Sequence, residues 1–385
     1  MSDDSGFNEQ VGDGLPETAG QPATAGQPAT AGQHGAAAPG GDAAPRRSGS
    51  RKRRARRIVL AAAAAVVVLV AGVAVTGYAM VNHLAGNIHR IPNVFVGLDA
   101  ANQPVMPAPF RRSMTILLTG SQHPPAHIGG HGADHASTAP EDQSGLIALV
   151  HINASGRAGA IVSIPPNALV RVPGHGVTQL WNALPLGGPS LLIRTLEQLT
   201  QVRIDHYSVV DFDHLAAALG PLHGVNVDVP ELTSSNGVVF HPGINHLNGV
   251  TALDYVRQTS LTEDQRVLRQ QALLRAVLDK IAAMHLLTNP TAGFGILNAF
   301  TKALSVDSNF TNGALESLAL HLHLLGGRSA TFVSAPVQRT FTFEGQSAVS
   351  LNGRISGRLW QAIRHDGVAA FALRYPSTVT PNAPQ

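Results

Sequence analysis

The chemistry-bearing residues that stand closest together form a short polar face in the second half of the chain. Arg266, Arg269 and Gln270 lie at i, i+3 and i+4, which on an α-helix puts all three on one side. Two guanidiniums near a helix N-terminus favour an anion, and phosphate in particular, because the planar fork of N–H donors matches phosphate oxygens. The same spacing also describes a solvated face carrying an Arg–Asp pair. Thr262 is the expected N-cap of this helix, with Glu263 and Asp264 at the positive end of its dipole. Val267, Leu274, Leu278 and Ile281, flanked by Leu273 and Val277, make the apolar stripe that must hold the helix against a core.

A second cluster is of another kind. His123, His127, His131 and His135 recur every four residues in HPPAHIGGHGADH, with Asp134 beside the last. Pro124, Pro125 and the glycines of this stretch argue against a helix. Neutral imidazoles suit zinc, copper or nickel better than magnesium, so one reading is a transition-metal site. The other is an exposed histidine-rich insertion. Gly129-Gly130 and Gly187-Gly188 lack the Gly-Lys-Ser/Thr of a phosphate loop. Ser121 and Ser163 lack a nucleophile elbow. Asp211 and Asp213 straddle a strand-to-helix joint, where Asp213 is expected to be the N-cap. Trp181 is expected in the core or on a pocket wall. The chain has no cysteine, which excludes thiol nucleophiles, disulfides, cysteine-ligated zinc and iron–sulfur clusters.

These residues need a scaffold, and the hydrophobic pattern supplies one. Met114–Thr119, Leu146–Ile152 and Ala160–Ile164 are near-continuous apolar runs of the buried-sheet kind. Tyr207–Val210, Val225–Val229 and Thr331–Ser334 follow. Helical patterns lie between them at Pro189–Thr200, Asp213–Leu219, Gly249–Gln258, Thr262–His285, Gly293–Leu304, Asn312–Leu325 and Arg354–His365. Buried strands mixed with helices imply an α/β fold in which a mixed sheet is covered on both faces.

Of the 385 residues, 44% are hydrophobic and only 13% charged, about half the charged share usual in a soluble domain. Ile58 to Val81 contains no charge. At 1.5 Å per residue it reaches about 36 Å, enough for a hydrocarbon core of roughly 30 Å. All eight Lys/Arg of residues 1–57 fall between Arg46 and Arg57. A basic block beside an apolar span stays on the cytoplasmic side. That places 1–57 inside and 82–385 outside, and outweighs a nucleic-acid reading of the block. The six-residue repeat Thr-Ala-Gly-Gln-Pro-Ala at 18–29 has nothing large to bury and is expected to be disordered. The organisation read from sequence is therefore a disordered basic tail at 1–57, a transmembrane helix at 58–81, a linker and first strand at 82–112, an outer domain at 113–375 and a disordered tail at 376–385.

Several phrases in order carry a family resemblance. They are Ile116-Leu-Leu-Thr-Gly-Ser121, Leu149-Val-His-Ile-Asn153, Val162-Ser-Ile-Pro165, Asn182 with Gly187-Gly188-Pro189, Ile204-Asp-His-Tyr207, Val210-Asp-Phe212, Gly224-Val-Asn-Val-Asp-Val-Pro-Glu231, Ala252-Leu-Asp-Tyr-Val-Arg257 and Arg266-Val-Leu-Arg-Gln-Gln271. Together they resemble the LytR-CpsA-Psr (LCP) family of bacterial envelope proteins. The resemblance implies an α/β/α sandwich with an apolar pocket for a polyprenyl chain. It implies transfer of a glycopolymer from polyprenyl pyrophosphate to a peptidoglycan hydroxyl, assisted by Mg²⁺. Arg257, Arg266 and Gln270 then match catalytic positions, and Arg269 and Asn182 match substrate-binding ones. A polyprenyl-phosphate lipid, an envelope glycopolymer, peptidoglycan and the membrane are the implied partners, without nucleic acid.

The chain departs from the family pattern where charge matters. Gln122 follows Ser121 in place of an aspartate, and Gln143-Ser144-Gly145-Leu146 replaces Arg-Ser-Asp-Thr. Pro166-Asn167 replaces Arg-Asp, and Thr259 replaces the second arginine of Tyr-x-Arg-x-Arg. The acid before the helix arginine survives only as Glu263 or Asp264, and Asp264 is the candidate metal ligand there. Each buried charge-assisted contact to phosphate contributes about 1.5–3 kcal/mol, and Gln and Gly cannot replace carboxylates as magnesium ligands. A single-pass envelope protein with reduced transferase activity is expected, or a non-catalytic lipid or glycan binder; on the metal reading the histidine loop carries a transition metal. Transcriptional control is disfavoured, because the inner tail lacks a helix-turn-helix pattern.

Overall fold

The computed structural model describes residues 82–98, 103–121, 143–258, 263–284, 290–321 and 330–380. The tail at 1–57, the apolar run at 58–81 and the histidine loop lie outside these residues, as does Thr262. No helix among the described residues is long and apolar enough to cross a membrane.

The strands, in chain order, are β1 (His89–Ile91), β2 (Met114–Ser121), β3 (Gln143–Ile152), β4 (Gly159–Ser163), β5 (Leu169–Val172), β6 (Gly176–Gln179), β7 (His206–Asp211), β8 (Val225–Val229), β9 (Thr233–Ser235), β10 (Val238–Phe240), β11 (Gly243–Leu247), β12 (Leu304–Asp307), β13 (Ala330–Ser334), β14 (Val337–Phe343) and β15 (Gln346–Leu351). The helices are α1 (Ala183–Thr200), α2 (Phe212–Ala217), α3 (Gly249–Val256), α4 (Glu263–Ala283), α5 (Pro290–Lys302), α6 (Asn312–His321), α7 (Gly353–Arg364) and α8 (Val368–Arg374). Seven strands form one mixed sheet in the order β1-β12-β7-β2-β3-β4-β13, and the others pair two by two.

The period of two explains the layers. Ile116 and Leu118 of β2, with Leu146, Ala148 and Val150 of β3, face one core, which α2, α3, α4 and α5 cover. Leu117, Ile147 and Leu149 face a second core under α1, α7 and α8. Alternate residues of a strand point to opposite faces, so a near-continuous apolar run is what a sheet buried on both sides requires. Inside α1 the helix is kinked where Gly188 takes φ 69° and ψ −167°, a conformation open to glycine at little cost.

Two sequence expectations change here. The helical pattern drawn through Leu304 stops at Lys302, and Leu304–Asp307 is a strand between β1 and β7. Its Ser305 and Asp307 are buried polar residues, which hid the strand from an apolar count. Asp307 is satisfied there, accepting from the Tyr207 backbone N–H at 3.0 Å. Residues 376–380, expected as disordered tail, continue the fold. Thr380 donates to the Phe332 carbonyl at 3.1 Å, and Arg275 of α4 reaches the Thr380 carbonyl at 2.6 Å.

At the opposite end of the sheet, His151 joins β2, β3 and the turn after α7. Its Nδ1 lies 3.0 Å from Thr115 Oγ1, and Nε2 donates to Asp366 Oδ1 at 2.8 Å. Asp366 Oδ2 also accepts from the Ala154 N–H at 2.7 Å. Asp366→Ala strands a buried ring nitrogen and an amide, and is expected to cost roughly 2–4 kcal/mol in urea unfolding. Asp366 has φ 55°, a conformation asparagine tolerates, so Asp366→Asn should cost much less. Equal losses would mean that the hydrogen bonds do not matter.

Candidate anion-binding site

Strands β2 and β7 run parallel and end together, Ser121 opposite Asp211. Beside them the β2–β3 register shifts between Thr119 and Gly120: Thr119 pairs with Ile147 and Gly120 with Ser144. Gly145 and Leu146 are thus bulged out of the ladder at the position where the family pattern has an acid. Bulges of this kind recur beside functional sites.

Helix α2 leaves β7 without a loop. Asp211, rather than Asp213, is its N-cap. Asp211 Oδ1 accepts from the backbone N–H groups of Asp213 and His214, at 2.8 and 3.1 Å. The helix begins one residue earlier than expected because Phe212 is 0% exposed in the core, which leaves Asp211 at the capping position. Asp211 Oδ2 takes His214 Nδ1 at 2.9 Å. Asp213, released from capping, pairs with Arg257, the C-cap of α3. Both side chains of that pair are 35% exposed.

On α4 the polar face turns inward. Arg269 is 4% and Gln270 0% exposed, which overturns the solvated-face reading. Arg269 Nη2 donates to Thr233 Oγ1 at 2.9 Å, and its guanidinium lies 4.8 Å above the ring of Tyr255 on α3. Burial pushes the Tyr255 phenol up to about 12, so the ring stays neutral. Burial also pushes the Arg269 guanidinium down from its ordinary value, opposed by Tyr255 and Glu231. Among the described residues, Arg269 Nη1 and both amide atoms of Gln270 have no hydrogen-bond partner. So do both amide atoms of Gln258, 1% exposed, which follows Arg257. Buried polar groups are ordinarily satisfied, so these five atoms, on α4 and just past the end of α3, remain open to a polar ligand or bound water. Arg266, one turn before Arg269, is half-buried.

Arg257, Arg269 and Gln270 are thus on α3 and α4, which meet at the Tyr255–Arg269 contact. Asn182 is elsewhere. It precedes α1 in the second layer and donates to Thr178 Oγ1 at 2.7 Å; no hydrogen bond among the described residues joins it to the arginines. Trp181 is half-buried against the second core, as expected. The Asp264 side chain and the four histidines are outside the described residues. Gln258 was missed by sequence reading. Its only signal was its place between the two arginine positions of the Tyr-x-Arg-x-Arg phrase.

Magnesium needs several open oxygen ligands. Of the carboxylates described here, Asp211 is a cap and partner of His214, Asp213 pairs with Arg257, and Glu231 Oε1 accepts from Gln265 Nε2 at 3.0 Å. No group of three His, Asp or Glu side chains among the described residues could hold an ion. The described donor set therefore does not fit Mg²⁺. Two open clefts, of about 550 and 240 Å³, share no lining residue with the arginines. The apolar wall beside them is the first core, where Tyr255, Val256, Leu273 and Val277 are no more than 1% exposed.

One consequence is measurable with inorganic pyrophosphate. Asp213 competes for Arg257, so Asp213→Asn should tighten binding by up to about fivefold, the size of a half-exposed ion pair. Weaker binding in isothermal titration would assign Asp213 to the ligand instead.

The sequence model of the LytR_cpsA_psr family matches residues 102–359. The chain belongs to this family. Among curated LCP relatives, the probable cell wall biosynthesis protein LcpB of Corynebacterium glutamicum is 31% identical over 156 residues, covering 40% of this chain and 37% of LcpB. The polyisoprenyl-teichoic acid–peptidoglycan teichoic acid transferase TagT of Bacillus subtilis is 29% identical over 181 residues, covering 45% of this chain and 54% of TagT. The chain thus spans about half or less of these two relatives. The crystal structure of Bacillus subtilis TagV superposes with a TM-score of 0.52 at 20% identity, covering 67% of this chain and 98% of TagV. That likeness shows the LCP fold: a central mixed sheet between helices.

Proposed function

We propose that this LCP protein binds a polyprenyl-phosphate-linked envelope glycopolymer at the outer membrane–water boundary and transfers it slowly or not at all. The observation that supports the reading is Arg257 at the C-cap of α3 and Arg266, Arg269 and Gln270 on α4, two helices that meet where Arg269 lies over Tyr255. Guanidiniums neutralise phosphate charge, and apolar side chains receive a lipid. The names of LcpB and TagT support a role in building the cell wall. The uncharged run at 58–81 behind a basic block supports a single anchor with the outer domain next to the carrier lipid.

Weak turnover is supported by the donor set. Transfer from a pyrophosphate develops negative charge that cations must meet. Two acidic positions of the family pattern are Gln122 and Gly145 here, and three arginine positions are Gln143, Pro166 and Thr259. Arg257 and Arg266 can still bind and orient a phosphate, and the buried amides can exclude water around it.

The test uses the full chain in detergent micelles with a lipid-linked glycan and peptidoglycan fragments, with and without Mg²⁺. Binding without appreciable transfer is expected. Mg²⁺-dependent turnover abolished by Arg266→Ala would overturn the weak-transferase reading, and absence of lipid binding would overturn the whole proposal. Protease protection of the outer domain in intact cells tests the topology.

A further inference from the structure

The larger cleft, of about 550 Å³, lies between α1 and residues 97–104, and Gly97, Leu98, Gln103, Arg194, Glu197 and Gln198 are among its lining residues. Arg194 and Glu197 stand at i and i+3 on α1, which puts their Cβ atoms about 5–6 Å apart. No ion pair among the described residues joins them. Arg194 Nη2 donates instead to the Gly97 carbonyl at 2.6 Å. Glu197 is 5% exposed, and its Oε1 accepts from the Ile204 N–H at 3.0 Å and from Gln103 Nε2 at 3.4 Å. Its Oε2 has no hydrogen bond among the described residues, yet it is not one of the sealed orphan atoms. That oxygen therefore opens on the cleft that Glu197 lines. A buried carboxyl with one oxygen unanswered is costly to keep. A glutamine would serve the same two donors, so the fold itself has no use for the second oxygen.

What enters must offer a cation to Oε2 and an anion to Arg194 within one helical turn. A simple amine leaves the guanidinium unanswered, and a simple carboxylate meets another acid. A carbon that bears both an ammonium and a carboxylate answers both, because its two charges sit on one centre. We propose that this cleft binds a free α-amino acid group, its ammonium on Glu197 Oε2 and its carboxylate on Arg194, at a site separate from the arginines of α3 and α4. The inference stands independently of the lipid-linked glycan reading. Burial pushes the Glu197 carboxyl of the unliganded protein up to about 7, opposed by the Ile204 N–H and Arg203 and reinforced by Asp205. Arg203 and Asp205 pair with each other at 3.2 Å. An ammonium beside Oε2 favours the ionised form, so binding at pH 6 releases the carboxyl proton to the buffer. At pH 8 the carboxyl is already ionised in most molecules, and binding releases little.

The experiment is calorimetry on the full chain in micelles with three probes. Diaminopimelate carries the group at both ends; cadaverine lacks its carboxylates, and pimelate lacks its ammoniums. Diaminopimelate should bind at least about tenfold more tightly than either of the others. Titrations in buffers of different ionisation enthalpy should show close to about one proton released per ligand at pH 6 and a small fraction of that at pH 8. Glu197→Gln should weaken diaminopimelate about tenfold and abolish the proton release. Folding does not confound this variant, which keeps the Ile204 acceptor and has no charge to desolvate. Arg194→Gln should bring diaminopimelate down to the affinity of cadaverine. Equal affinity for the three probes, unchanged affinity in Glu197→Gln, absence of proton release at pH 6, or no binding at millimolar ligand overturns the proposal. A tripeptide ending in diaminopimelate keeps the group on its side chain alone. Binding like that of the free compound assigns the cleft to a peptide-borne group, and its loss assigns the cleft to a free amino acid; both support the proposed chemistry.

Discussion

Arg266→Ala is expected to lower the affinity of the full chain for farnesyl pyrophosphate by about ten- to a hundredfold, the effect of one or two charge-assisted hydrogen bonds. Arg266 is the better arginine to remove. It is half-buried on α4, less deeply packed than Arg269. Arg269 is 4% exposed and holds both Thr233 and the Tyr255 ring, so its loss would confound binding with folding. Arg266→Lys should fall between, since ammonium keeps the charge and loses the paired donors. Raising salt should narrow the gap between Arg266→Ala and wild type, because screening weakens a partly exposed charge. Affinity within twofold of wild type in calorimetry would show that the phosphate is bound elsewhere.

On the reading proposed above, the same cluster accounts for binding with slow transfer. Binding needs fixed positive charge, which α3 and α4 carry. Turnover needs charge that meets the transition state, and of the carboxylates here Asp211 caps α2 and Asp213 holds Arg257. The His214 ring on Asp211 removes the last open oxygen of that cap. A chain rebuilt toward transfer would need acids at Gln122 and Gly145 before any change on α4. The bulge at Gly145 shows that the backbone there already departs from a plain ladder.

Much of this was legible beforehand, for physical reasons. The runs Met114–Thr119 and Leu146–Ile152 are apolar on both alternations, and a strand with two buried faces has no other solution. The i, i+3, i+4 spacing fixed Arg266, Arg269 and Gln270 on one face of α4. The direction of that face was not legible, because spacing states which residues share a side and not what the side meets. Inward burial of Arg269 depends on Tyr255, fourteen residues earlier in sequence and on another helix. The cap was misplaced by two residues because Asp211 and Asp213 are both good caps, and the packing of Phe212 decides between them. β12 escaped notice because Asp307 is buried by a tertiary partner, the Tyr207 N–H.

Glu197→Gln is expected to make the protein markedly more stable at pH 8. Glu197 is on α1, far along the chain from the arginines, and only 5% exposed. Its Oε1 accepts from the Ile204 N–H at 3.0 Å and from Gln103 Nε2 at 3.4 Å. Burial pushes its carboxyl from 4.5 up to about 7; the Ile204 hydrogen bond and Arg203 oppose this, and Asp205 adds to it. The folded state therefore holds the proton more tightly than the unfolded chain. The stabilisation is complete below about pH 4.5 and is lost as pH rises through about 7. Over that shift the loss amounts to as much as about 3 kcal/mol. Asp205, also raised by burial against the Thr115 N–H and Arg203, acts in the same sense. Glutamine keeps an acceptor for Ile204 and carries no charge to desolvate. Urea unfolding should show wild type weakening from pH 5 to pH 8, and the variant holding most of its stability across that range. The two should converge near pH 4.5, where the glutamate is itself neutral. A variant less stable than wild type at pH 8 would mean that Glu197 is ionised there and held by its two donors, so that its charge supports the fold.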